Sequence, residues 1–152
     1  VTMRSLVRGA VAGAGATVMM SVVTLAGQRA GLMPDQPPKR IARAVLPGHR
    51  HRPKPGERAL GTVAHFGFGA ACGSLLALLR RERRVPVTLG VGYGLAIWLV
   101  SYQGWVPGFG ILPPASGDRP GRPAVMAAGH VVYGTVLAVL LNRLRRGPER
   151  EA

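Results

Sequence analysis

Acidic residues are the scarcest charged type in this chain. Six carboxylates, at Asp35, Glu57, Glu82, Asp118, Glu149 and Glu151, stand against twenty basic residues, giving a formal net charge of +14. All six lie in predicted loops or the tail, so no apolar run carries the carboxylate expected of a proton pump or cation transporter. Cysteine is nearly absent. Cys72 alone excludes an intrachain disulfide and any cysteine cluster for zinc or iron–sulfur. It stands among small residues, where a buried packing role is expected. Catalytic signatures are also missing. Ser21, Ser74 and Ser101 stand in no nucleophile motif, and Gly90, Gly92 and Gly94 follow no strand. There is no phosphate loop, dinucleotide fingerprint or metalloprotease pair. No enzymatic activity is expected.

Long apolar runs are what the chain does have. The hydrophobic fraction of 47% is ordinary, but its distribution is not. Charge is absent from about Gly9–Gly27, Ala59–Leu79, Val85–Val106 and Ala124–Asn142. Each run is roughly 18–22 residues, long enough as a helix to cross a hydrocarbon core of about 30 Å. Backbone groups in lipid must be satisfied within the segment, which predicts helices. A soluble four-helix bundle would need a polar face on each helix, and none is visible. Arg4 and Arg8 before the first run, and Ala26-Gly27 after it, resemble the flanks of a signal peptide. The run is longer than such a leader, and it pairs with the third run. A retained helix is expected.

The runs pair by sequence. At a shift of 65 residues, His65 falls on His130, Gly69 on Gly134, Leu75-Leu76 on Leu140-Leu141 and Arg80-Arg81 on Arg145-Arg146. An aromatic, Phe68 or Tyr133, follows each histidine by three. At a shift of 79, Gly13-x-Gly15 falls on Gly92-x-Gly94 and Gly31-Leu32-Met33-Pro34 on Gly110-Ile111-Leu112-Pro113. The predicted fold is all-α. It is an integral membrane four-helix bundle of two tandem transmembrane hairpin repeats, about 5–81 and 85–146, in a single membrane domain spanning 1–152. A basic, Pro-rich loop over about 28–58 looks like an insertion into the first copy, and a basic tail covers 142–152. Within the loop, Lys39–Leu46 has Ile41 and Val45 four apart, as in a short helix lying among headgroups. The stretch Gly48–Pro55 reads as extended or mobile.

Glycines at i, i+4 predict close helix packing, at Gly9/Gly13, Gly69/Gly73 and Gly90/Gly94. The basic residues flank apolar runs, so anionic lipid headgroups, rather than nucleic acid, are the expected counterpart. Headgroup contact is assigned to Arg40, Arg43, Arg80, Arg81, Arg145 and Arg146. The short connection Arg80-Arg81-Glu82-Arg83-Arg84 places both termini in the cytoplasm by the positive-inside rule. The long basic loop then faces outward, against that rule.

The histidines carry the only sharp chemistry. His65 and His130 enter their helices from the same end, and the repeat predicts one depth for both. Two neutral imidazoles there can bond neighbouring carbonyls, take part in a proton or ion path, or ligate haem or a metal. Packing is the plainest reading, so no cofactor and no metal are assigned. Trp98, Tyr102, Gln103, Trp105 and Phe109 lie near Gly104 and Pro107 at the outer end of the third run. They read as an interfacial aromatic belt, or as the rim of a small site under it. The candidate polar intramembrane site comprises His65, His130, Tyr93, Tyr102, Tyr133 and Trp98.

The Gly/Ala-rich first helix, Met33-Pro34 with Pro37-Pro38, the His65 helix, Gly110-Ile111-Leu112-Pro113-Pro114 and Gly129-His130 together resemble the YagU-like group. These are small uncharacterised bacterial inner-membrane proteins. The resemblance implies a multi-pass helical protein of the plasma membrane and brings no established site residues. The expected role is a non-enzymatic accessory, structural or envelope-stress component, alone, as a homo-oligomer or in a larger membrane complex. A small oligomeric transporter or channel with its site at the histidine pair is the first alternative. A histidine-ligated haem or metal protein is the second.

Overall fold

In the computed structural model the described residues are 3–33, 36–49, 52–81 and 83–146. Pro34 of the first turn, Arg50-His51 in the basic stretch, Glu82 in the arginine connection and 147–152 of the tail lie outside them. Every regular element among the described residues is helical. Helix α1 spans Met3–Arg29, α2 Pro37–Val45, α3 Glu57–Arg80 and α4 Val87–Leu99. A π-helical segment over Val100–Trp105 follows α4 and runs into a short turn, α5, at Val106–Gly108. A 3₁₀ turn at Ala115–Gly117 leads to α6, Gly121–Arg145. Helices α1, α3 and α6 are each long and apolar enough to cross a membrane. The third apolar run is not an unbroken α-helix like the other three. Strict α-helix ends after 13 residues. Pro107 has no N–H to give the carbonyl four residues back, and its ring crowds that carbonyl. The wider π turn just before it is one way a helix absorbs such a mismatch.

Two helix ends are built alike. Gly31 has φ +75°, and Gly110 has φ +66°. After α1, Leu32 N–H bonds Gly27 C=O at 3.0 Å and Gly31 N–H bonds Gln28 C=O at 3.0 Å. After α5, Ile111 N–H bonds Val106 C=O at 3.1 Å and Gly110 N–H bonds Pro107 C=O at 2.9 Å. Both are Schellman caps, which need a left-handed residue that glycine adopts without strain. The residue two past each glycine, Met33 or Leu112, is buried in each case.

The long helices pack in the order α3, α1, α6, α4. Glycine sets the spacing. A Cβ added at Gly13 would overlap the Gly69 carbonyl, and one at Gly9 would come within 2.5 Å of Ser74 Cα. On the other side, Gly90 lies against Gly134, and Gly94 against the His130 carbonyl. Gly92, one of the aligned glycines, meets no neighbour within 4 Å. Backbones this close gain dispersion contacts that bulkier residues would hold apart. The contacts run Gly9 to Gly73 and Gly13 to Gly69, so α1 and α3 are antiparallel. Helices α4 and α6 are antiparallel by the same reasoning. Ala12, Ala16, Leu76, Ala77, Leu137, Ala138 and Leu141 fill the main core. Outward faces remain apolar: Val11, Val18, Val22, Val63, Leu75, Leu79 and Val100 are all exposed, as lipid-facing residues would be.

Candidate functional site

Helices α3 and α4 stand on the same side of the α1·α6 pair without packing along each other. Between them is a partly open cleft of about 240 Å³. Helix α1 contributes Thr17 and Met20. Helix α3 contributes Ala64, His65, Phe68, Gly69 and Cys72, and α6 contributes His130 and Tyr133. Ile97 comes from α4, Ser101 and Trp105 from the π segment, Val106 from α5, and Pro37, Pro38 and Ile41 from α2. No Asp, Glu, Lys or Arg lines it. Three of the sequence candidates, His65, His130 and Tyr133, therefore meet in one cavity.

Three polar side chains in the cleft are already bonded. Tyr133 Oη donates to the Gly69 carbonyl at 2.7 Å, joining α6 to α3. Thr17 Oγ1 donates to Gly13 C=O at 2.8 Å within its own helix. His130 Nδ1 lies 2.8 Å from the Met126 carbonyl. A carbonyl can only accept, so Nδ1 carries the proton and a neutral ring leaves Nε2 as an acceptor. Others, His65 and Ser101 among them, differ. Among the described residues neither the His65 imidazole nor the Ser101 hydroxyl has a hydrogen-bond partner; His65 meets only Phe66, edge-on, with centroids 6.3 Å apart.

The other candidates lie elsewhere. Tyr93 Oη donates to the Cys72 carbonyl at 2.8 Å, bridging α4 to α3 without lining the cleft. Trp98 stacks on Tyr102 at 6.0 Å between centroids, and Tyr102 is 2% exposed. Tyr102 thus belongs to a second core with Val106 and Leu112, not to an exposed belt. Its hydroxyl donates to Asp118, whose carboxylate also accepts from Arg122 at 2.8 and 2.9 Å. Burial pushes the Asp118 carboxyl up. The hydrogen bonds from Tyr102, the Arg119 backbone and Arg122 outweigh this, and the net shift is downward. Trp105 and Phe109 are exposed, as belt residues would be.

The arginines divide similarly. Arg81 and Arg146 are exposed, and Arg40 is half-buried. Arg80 donates to the Arg84 carbonyl at 2.8 Å, and Arg145 donates to the Arg83 carbonyl. Arg43 is not free for headgroups. It is 8% exposed, and its guanidinium forks onto Glu57 at 2.7 and 2.8 Å. Lys54 Nζ donates to the carbonyls of Arg43 at 2.7 Å and Gly48 at 3.1 Å, and to that of Leu46. These bonds pin α2 and its following loop to the start of α3, so that Pro37, Pro38 and Ile41 roof the cleft. No local sequence pattern links Arg43 to Glu57; a turning loop lies between them. Ser101, which stands in no nucleophile motif and is expected from the sequence to carry no role, lines the cleft through the π winding. Among the described residues no group of three His, Cys, Asp or Glu side chains is placed to hold a metal ion.

The fold and cleft define a class: an all-helical protein with several helices able to cross a membrane and an uncharged cavity between them. The chain belongs to a family of unknown function, DUF6789, whose family model matches residues 3–152. No curated protein and no solved structure matches it.

Proposed function

We propose that this chain is a non-enzymatic multi-pass membrane protein whose two helical hairpins hold a small, largely apolar molecule between them. One observation carries the reading: His65 from one hairpin and His130 from the other line a single uncharged cleft. Cavities lined mostly by apolar side chains, with a few converging polar groups, are the usual form of small-molecule sites.

In this reading the helical path Val87–Gly108 is a fourth crossing, and the hairpins are parallel repeats. Their packing supports it. Gly13 meets Gly69 as Gly90 meets Gly134, and the same Schellman caps end α1 and α5. The glycine contacts correspond at a shift of 77, whereas the caps correspond at 79. The second copy is two residues longer between those points, and the π segment lies in that interval. Wider winding takes up extra residues without displacing the cap. The basic ends of α3 and α6 lie together with the start of α1, which fits anionic headgroups and cytoplasmic termini. The kinship with the YagU-like group and a bacterial plasma membrane belong to this proposal.

A small transporter is the second reading. The cleft lies between the hairpins, where rocking of one repeat against the other would expose it alternately. Organic extraction of the protein from lipid nanodiscs, followed by mass spectrometry, tests the binding reading. A small molecule should be retained by the wild type and lost from Ala64→Trp, which fills the exposed rim of the cleft. Equal recovery from both, with folding intact, would remove the cleft as the site.

A further inference from the structure

We infer that the cleft takes a neutral, alcohol-headed hydrocarbon that enters from the lipid side, its hydroxyl held between His65 and Ser101. This rests on the binding role proposed above and assigns it a ligand chemistry. Three observations converge. The body of the cleft is hydrocarbon: Met20, Ile41, Phe68, Ile97 and Val106 line it. It carries no charged side chain, so an ionised head would be buried without a counter-charge, which is the most expensive way to place a charge. Yet it is not inert, because the His65 ring and the Ser101 hydroxyl line it and are unpartnered among the described residues. A neutral imidazole offers one donor and one acceptor, and a serine hydroxyl offers both. An alcohol matches that pair. An alkane would leave both groups unpaired. Tyr133 and Thr17 are not counted, since their protons are already given to Gly69 and Gly13.

The route follows from packing. Helices α3 and α4 are joined by the Tyr93–Cys72 bond but do not pack closely along their length, and the rim residues Ala64, Phe68 and Trp105 are exposed. On the loop side, α2 roofs the cleft, clamped by Arg43 to Glu57. The open side therefore faces the direction in which the long helices present their apolar surfaces.

Cys72 lines the cleft and is the only cysteine, so it reports occupancy directly. In nanodiscs, the rate of Cys72 alkylation by an apolar maleimide is followed with three probes that share one saturated tail: dodecanol, the alkane dodecane and dodecyl phosphate. Dodecanol should protect Cys72 at concentrations about tenfold lower than either of the others, the factor expected from pairing a buried polar group. His65→Leu should erase the preference for dodecanol over dodecane, and Ser101→Ala, a smaller change, should reduce it. Equal protection by dodecane, or stronger protection by dodecyl phosphate, would overturn the assigned head group while leaving the binding role standing. Protection by none of the three, or a Cys72 that the maleimide does not reach, would overturn both. Retention of the dodecanol preference in both variants would overturn the roles of His65 and Ser101.

Discussion

Gly69 provides a sharp test of how α1 and α3 meet. A Cβ at this position would overlap Thr17 Oγ1, with Thr17 Cβ at 3.3 Å and the Gly13 carbonyl at 3.4 Å. The main collision is thus with one side-chain atom that can be removed, while the remaining contacts are tight but tolerable. Gly67, two residues earlier in the same helix, has nothing within 4 Å of its added Cβ. Both substitutions to Ala change helix propensity in the same favourable direction, by at most about 1 kcal/mol. Gly67→Ala should therefore be neutral or mildly stabilising. Gly69→Ala should destabilise by about 1–3 kcal/mol, the usual penalty for overpacking. Thr17→Ala should lose about 1 kcal/mol or less, since its hydroxyl only back-bonds to Gly13. Combining Gly69→Ala with Thr17→Ala should recover part of the loss, with a coupling of about 1–2 kcal/mol. Reversible unfolding in mixed micelles, run on all four variants, reads these terms. If Gly69→Ala is no worse than Gly67→Ala, or if Thr17→Ala gives no rescue, the α1·α3 contact is not the one described.

Tyr133→Phe removes a hydrogen bond to Gly69 C=O, but that carbonyl lies within α3 and keeps its helical N–H partner. A loss of only about 1 kcal/mol in the same unfolding assay is expected, and 3 kcal/mol or more would mean the hydroxyl does something further. Asn142 accepts from Val85 N–H at 2.9 Å and donates to Val85 C=O at 2.8 Å. Asn142→Ala should destabilise by about 1–3 kcal/mol, because both backbone groups lose their partner; indifference to the change would show that water replaces it. The Asp118 carboxyl is lowered in the folded protein. The stability it adds is fully present above its unfolded pKa of about 3.9 and is lost as pH falls through the lower folded value. Thermal melts from pH 6 to pH 2 should show the wild type converging on Asp118→Asn at the acid end, and a constant gap would refute the ionised assignment. Arg43→Glu should loosen the α2 clamp and speed proteolysis between Leu46 and Gly56, and the swap with Glu57→Arg should slow it again. Failure of the swap would assign the anchoring to Lys54 instead.

The helices are legible in the sequence where the signal is local. Uncharged runs of span length predict α1, α3 and α6 because lipid leaves a backbone no other partner than itself. The stop at Gly31 and its counterpart at Gly110 were legible as a repeated Gly-x-x-Pro phrase, since a Schellman cap is written in a few adjacent residues. The third run was legible as apolar, with a helix break expected near Gly104, Pro107, Gly108 and Gly110, but its π winding from Val100 was not. Its π turn depends on how Tyr102 and Val106 anchor in a second core while Pro107 withholds an N–H.

The site divides along the same line. Composition alone determined that the chain is basic, carboxylate-poor and without a metal-binding cysteine set, and the sequence singled out His65 and His130 as polar residues in apolar helices. Tertiary structure decided which polar residues share a space. It brought His65, His130 and Tyr133 to one cleft, turned Tyr102 to Asp118 and Tyr93 to Cys72, and tied Arg43 to Glu57 across a loop. The reason is physical. A helix fixes only the direction of each side chain about its own axis. Which neighbour stands there is set by glycines that let α1 approach α3 and α4 approach α6, and by the gap this leaves between α3 and α4.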